Sequence, residues 1–248
     1  MIAPVAPGIR PGSGGRMAAI ELSADTLTPV AAALRLKDRL AFILESVEGG
    51  ARYGRYSFVG VRGRTLIVDQ GEAVVWDADY QELERFAEAD PLEALRRVLP
   101  PRVEAPGFPL PLSAGIGFVS YDAAARWEKL PVPDFDPVGL PEALFHMPSV
   151  VIAFDHLAQT ATLATIADDG ADARLASVAA QLSMPAPDEA PTRLGNHGHR
   201  PVRHVPPAAD PVYEAGVAKL VEDIHAGEML QVVTARRFSV PNRAPALT

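Results

Sequence analysis

Apolar and polar residues alternate in short runs along this chain, and glycines or proline-led helix starts separate the runs. In RYSFVGV (55–61), Tyr56 and Phe58 alternate with Ser57 and Val59, the period of a strand. AFILES (41–46) opens with an apolar run suited to a buried strand, punctuated by Gly49 and Gly50. TLIVD (65–69) and AVVWD (73–77) flank Gln70-Gly71-Glu72 and predict a hairpin. SVVIAFD (149–155) and TATLATI (160–166) predict a second. AGIGFVSYD (114–122) is strand-like, and its glycines at 115 and 117 predict a bulge or a close backbone contact. A short helix to Trp127 follows. MLQVVTARRFSV (229–240) reads as a last strand.

The helices announce themselves by their caps. Thr28 and Pro29 open one over 26–36, as N-cap and first helical residue. Asp90-Pro91-Leu92-Glu93 opens another, with Glu93 expected to reach back to the cap and Leu92, Leu95 and Leu99 as its apolar stripe. DARLASVAAQL (172–182) is amphipathic. Asp210-Pro211 starts a helix with Tyr213, Val217, Leu220, Val221 and Ile224 on one face and Gly227 as its stop.

Between these elements, residues 1–20 are Gly/Pro-rich without periodicity and are expected to be a disordered tail. Residues 128–141 form an acidic, proline-rich loop. The segment 185–211 holds seven prolines in 27 residues and marks a linker, taken as 185–210. A domain over 21–184 and the start of another over 211–248 follow. Hairpins outnumber βαβ units, which predicts an α+β fold with mostly antiparallel sheet. One helix and one strand beyond the linker cannot bury both their faces by themselves.

Composition narrows the function classes. The chain has 248 residues, 48% of them apolar, a formal net charge of −8 and no cysteine. The absence of cysteine excludes disulfides, thiolate zinc sites and a cysteine nucleophile. The negative balance argues against nucleic acid as a partner. No run approaches the roughly 18 apolar residues that span a bilayer, and MIAPVAPGIRPGSGGR lacks the apolar core of a secretory signal. A cytoplasmic location is the default expectation.

The common catalytic motifs are absent: no GxGxxG opening a helix, no Walker loop, no GxSxG, no HExxH. His197, His199 and His204 lie together but in the linker, without carboxylate support, so a solvated linker is favoured over a metal site. His225 suits a helix C-terminus, and His146 and His156 flank a strand with no acid partner visible in sequence. Glu45-Ser46 follows a buried apolar run at a strand end. A carboxylate and a hydroxyl placed there suit the ammonium and carboxylate of an α-amino acid; the plain alternative is a strand end facing water. If 41–46 pairs with 55–60, Glu45 and Ser46 share one sheet end with Tyr56 and Ser57; the plain alternative is sheet core for Tyr56 and Phe58, with Arg55 as a surface charge. Gln231 lies in an apolar run and must satisfy its amide within the fold or against a substrate. Arg236 and Arg237 point to opposite faces of a strand, so at most one meets an anion.

Two stretches carry a family resemblance. ILESVEGGARYGRYSFVG (43–60) resembles the N-terminal signature of the large component of anthranilate synthase. VYEAGVAKLVEDIHAGEMLQVVTARRF (212–238) resembles the helix and strand that open the chorismate-binding domain, a motif shared with aminodeoxychorismate and isochorismate synthases. AGIGFVSYD fits the strand between them. The resemblance implies an antiparallel β-sandwich with flanking helices, followed by the opening helix and strand of an incomplete chorismate-binding domain. It implies a lyase of tryptophan biosynthesis, converting chorismate and ammonia to anthranilate and pyruvate. A glutamine amidotransferase subunit supplies the ammonia, and Mg²⁺ serves the complete enzyme. It implies feedback inhibition by tryptophan at Leu44, Glu45 and Ser46, with Tyr56 and Ser57 nearby. Gln231 stands where water-using relatives carry a lysine base; a neutral amide is a poor base and suits ammonia.

The family's later segments, including its magnesium-binding glutamates, have no counterpart in these 248 residues, and no catalytic or metal residue is assigned. The chain is therefore expected to be an N-terminal half, inactive without the other half. The alternatives are a non-catalytic amino-acid-binding module and a fragment from the aminodeoxychorismate branch.

Overall fold

Two stretches of the chain run through the same corner side by side, and that corner organises the first of two units, Met1–Pro187 and Asp188–Thr248. The computed structural model describes residues 15–46, 54–130, 138–185 and 210–235. Strand β3 (Tyr56–Val61) continues through Arg62-Gly63 into β4 (Arg64–Asp69), and β9 (Ala143–Met147) continues through Pro148-Ser149 into β10 (Val150–Asp155). β3 pairs antiparallel with β10, and β4 with β9, so each continuous stretch serves two sheets. Bends of this kind are how strands pass from one sheet to another. Gly63 is required at the crossing, because a Cβ there would meet the main chain of Met147, Pro148 and Ser149. The Ser149 N–H donates to Val61 O at 2.9 Å and its hydroxyl to Arg62 O at 2.8 Å, which ties the corner.

Sheet one adds β2 (Leu40–Leu44), β11 (Thr160–Ile166), β1 (Gly15–Ser23) and β7 (Val103–Glu104), in the order β2-β3-β10-β11-β1-β7. Its pairs are antiparallel except β1 with β7. Sheet two adds β5 (Glu72–Trp76), β6 (Glu82–Ala87) and β8 (Ile116–Val119), in the order β6-β5-β4-β9-β8, all antiparallel. The fold is α+β with mainly antiparallel sheet, and both predicted hairpins form. The turn between β4 and β5 has Gln70 and Gly71 at φ of 48° and 83°, the left-handed pair that a two-residue hairpin needs. Gly117 in β8 meets the expected close contact, since a Cβ there would collide with the Leu144 carbonyl on β9.

Helices α1 (Pro29–Arg35) and α3 (Ala171–Leu182) cover one face of sheet one, burying Leu36, Val59, Ile152, Phe154, Leu163 and Val178. Residues 103–112 cover the other face, with Leu112 and Phe108 over Val151, Ala164 and Phe58. Helix α2 (Pro91–Val98) covers sheet two, against Leu66, Val68, Val75 and Phe145. The expected sandwich would bury one sheet against the other. None of these three clusters joins strands of both sheets; the packing is helix or loop on sheet.

Several sequence expectations are corrected. The tail expected over 1–20 ends earlier, because β1 starts at Gly15 and lies between β11 and β7; residues 1–14 are outside the described set. Edge strand β6, ELERFA, was not anticipated. Its charges pair laterally, Arg85 with Glu82 and Glu72 and Arg97 with Glu84, as suits a solvated edge. In α2 the buried positions are Pro91, Ala94 and Val98; of the expected stripe Leu95 and Leu99 pack against this core, while Leu92 is exposed. Asp90 caps Leu92 and Glu93, but the cap's own N–H donates to Glu88, and Glu93 pairs with Arg96 instead of reaching back.

In the second unit, α4 (Pro211–His225) is capped by Asp210, which accepts from Tyr213 N–H, and Gly227 follows it at a φ of 82°. Residues 229–235 carry no strand, contrary to the reading of 229–240; residues 236–240 lie outside the described residues. Among the described residues no helix is long and apolar enough to cross a membrane.

Candidate functional site

The end of β2, the start of β3 and the end of β10 meet at one corner of sheet one. Pairing sets Leu44 opposite Phe58, and Ser57 opposite Phe154. Leu44, Tyr56 and Phe58 therefore share one face, since side chains alternate along strands. The rings of Tyr56 and Phe58 stack at 6.3 Å. Ser57 points to the other face and is fully buried. The anticipated pairing thus brings Leu44, Glu45, Ser46, Tyr56 and Ser57 to one sheet end, on two faces.

Hydrogen bonds shape the segment that follows β2. Ser46 N–H donates to Ser57 Oγ at 3.0 Å, and the Ser46 hydroxyl donates to Tyr56 O at 2.8 Å. Ser57 Oγ also lies 2.7 Å from His156 Nε2. Having spent its proton, the Ser46 oxygen retains lone pairs that accept. Glu45 is exposed, and among the described residues its carboxylate has no hydrogen-bond or ion-pair partner. Two acceptors beside an exposed leucine and an aromatic ring offer an ammonium group a partner and an apolar side chain a surface.

Arg55 does not join those acceptors. It donates from Nε and Nη2 to the Asp155 carboxylate at 3.1 and 2.6 Å, and its guanidinium lies 4.9 Å from the centre of the Tyr56 ring. The Arg55 hydrogen bond, opposed by burial and aided by the Ala158 and Leu157 N–H groups, holds the Asp155 carboxyl down at about 2. The His156 N–H donates to Arg55 O at 2.9 Å. Asp155 and His156 are the members of this site that sequence reasoning missed; their signal was an Asp-His pair closing a strand whose partner strand was already implicated.

The other candidates lie apart. Gln231 is exposed in a stretch without strand. His146 is half-buried, with Nδ1 3.0 Å from Thr65 Oγ1; burial, then the nearby Arg62 charge, pushes its pKa down. His225 lies in the last turn of α4. His197, His199, His204, Arg236 and Arg237 are outside the described residues. No three His, Asp or Glu side chains converge among the described residues, so these do not fit a magnesium site. An open pocket of about 1180 Å³ lies elsewhere, formed by residues of the loop 100–113 themselves.

With this geometry in view, comparisons with known proteins give consistent matches. The profile of a family described as chorismate binding enzyme matches residues 41–248. Anthranilate synthase component 1 of Thermus thermophilus is 35% identical, over 88% of this chain and 46% of that protein. Its counterpart from Mycolicibacterium smegmatis is 33% identical, over 90% of this chain and 45% of that protein. The crystal structure of anthranilate synthase component I from Streptococcus pneumoniae is 26% identical, covering 67% of this chain and 37% of that one, with a TM-score of 0.43. The chain spans about half the length of the curated relatives it matches.

Proposed function

The chain belongs to the chorismate binding enzyme family, and on that premise we propose that it is the N-terminal part of an anthranilate synthase large component and carries part of its tryptophan effector site. In this reading the complete enzyme adds ammonia to C2 of chorismate and eliminates pyruvate to leave anthranilate, the ammonia coming from a glutamine amidotransferase partner. Gln231 faces that chemistry; its neutral amide does not activate water, which favours ammonia as the nucleophile. Because the described residues do not fit a magnesium site, Mg²⁺ enters this reading only with the rest of the family's length.

One observation supports the effector reading: at one sheet end the exposed Glu45, whose carboxylate has no partner among the described residues, meets the Ser46 hydroxyl oxygen and the faces of Leu44 and Tyr56. Glu45 accepts from the amino-acid ammonium, Ser46 adds a second acceptor, and the apolar faces take the indole. Calorimetry of the folded chain with L-tryptophan tests it. Binding is expected in the wild type and should weaken about tenfold in Glu45→Gln, the loss of one charge-assisted hydrogen bond. A folded protein that releases no heat refutes the effector site. Activity is tested by co-expression with the C-terminal half of a relative and assay for chorismate-dependent anthranilate. Formation of aminodeoxychorismate in its place would move the chain to the other branch.

A further inference from the structure

We propose that His156 is a positioning residue of this site: through the Ser57 hydroxyl it fixes the main chain at Ser46, and with it the two acceptors of the effector pocket. The inference rests on the effector reading above and adds a residue from outside its motif.

Ser57 belongs to the expected ligand set, yet its side chain is fully buried and faces away from Leu44 and Tyr56. It touches no ligand in this arrangement, so its contribution is indirect. Its hydroxyl has one proton and two lone pairs. One lone pair receives the Ser46 N–H at 3.0 Å, and the oxygen lies 2.7 Å from His156 Nε2. Both contacts together select one staggered position of the Ser57 side chain. Without the imidazole the hydroxyl is free to take another, and the Ser46 N–H then loses its acceptor. Ser46 sits directly after β2, and among the described residues this hydrogen bond and the one from its own hydroxyl to Tyr56 O are what hold it.

His156 itself is exposed, at the first position of the turn between β10 and β11. That turn is held independently of the ring. Asp155 chelates Arg55 and accepts from the N–H groups of Leu157 and Ala158 at 3.0 and 3.1 Å, and the His156 N–H bonds Arg55 O. Removing the ring therefore leaves the turn standing and separates positioning from folding.

The test uses the full chain and L-tryptophan. His156→Phe keeps a ring but removes the nitrogen; His156→Gln offers an amide at a similar reach. Expected are about fivefold weaker binding in H156F, the worth of one hydrogen bond, retention of most of the affinity in H156Q, and melting temperatures close to wild type in both. The Ser46 amide should be protected from hydrogen exchange in wild type and H156Q and unprotected in H156F. Combined with Ser57→Ala, H156F should add no further loss. Wild-type affinity in H156F, or additive losses in the double variant, overturns the positioning role and leaves the effector reading intact. A folded wild type that binds no tryptophan overturns the effector reading and this inference together.

Discussion

Replacing Gly63 with alanine puts a methyl group where the two corner stretches cross. The added Cβ would face Ser149 N at 2.7 Å and Pro148 C at 3.0 Å, with the Met147 carbonyl oxygen closer still. All three are main-chain atoms, so no side chain can swing aside. Reaching ordinary contact requires the stretches to part by about 0.7 Å at Ser149. The hydrogen bonds from Ser149 to Val61 O and Arg62 O, at 2.9 and 2.8 Å, would then stretch past useful length. Each is worth about 1 kcal/mol net, and more when a buried partner is left unmatched, so the loss is about 2–4 kcal/mol. For a unit of this size that corresponds to a fall in melting temperature of roughly 4–16 °C. Scanning calorimetry or thermal circular dichroism reads it. Gly216→Ala is the control: nothing lies within 4 Å of its Cβ, and in the interior of α4 the change should stabilise the helix by up to about 1 kcal/mol. A Gly63→Ala protein melting within about 2 °C of wild type would refute the corner argument.

Arg55→Ala should raise the Asp155 titration midpoint from about 2 toward the ordinary 3.8, followed by carboxyl carbon NMR. Because the folded-state pKa is the lower one, this pair's contribution to stability is complete above pH 3.8 and fades as the pH falls toward 2. An unchanged midpoint in the variant would show that the pair does not set it. Asp90→Ala removes the acceptor for the Leu92 and Glu93 N–H groups, at 2.8 and 3.3 Å, and should cost about 1 kcal/mol in urea unfolding. An unaltered midpoint would mean that solvent caps α2 equally well.

Local chemistry made much of this chain legible. Thr28-Pro29, Asp90-Pro91 and Asp210-Pro211 each open a helix where expected, because a cap and a preset φ act within a few residues. The Gln70-Gly71 turn and the alternation in 149–166 set both hairpins for the same reason. Elements whose partners lie far along the chain were not legible: β1 is held by β11 and β7, and the charged β6 by β5 and a helix arginine. β6 lacks the local periodicity that marks an independent strand, and the alternation of β1, with Ala18, Ile20 and Leu22 inward, is short and follows a Gly/Pro-rich stretch.

The candidate site divides in the same way. Sequence alone nominated Glu45-Ser46 and Tyr56-Ser57 and made their meeting conditional on β2 pairing with β3. The tertiary structure decided the register, and register decides faces. It turns Leu44 and Tyr56 outward together and buries Ser57 behind them. It also carries His156 across 99 residues to within 2.7 Å of Ser57. Caps and turns are settled by energies within a few neighbouring residues, whereas a contact spanning that distance exists only once three strands have paired.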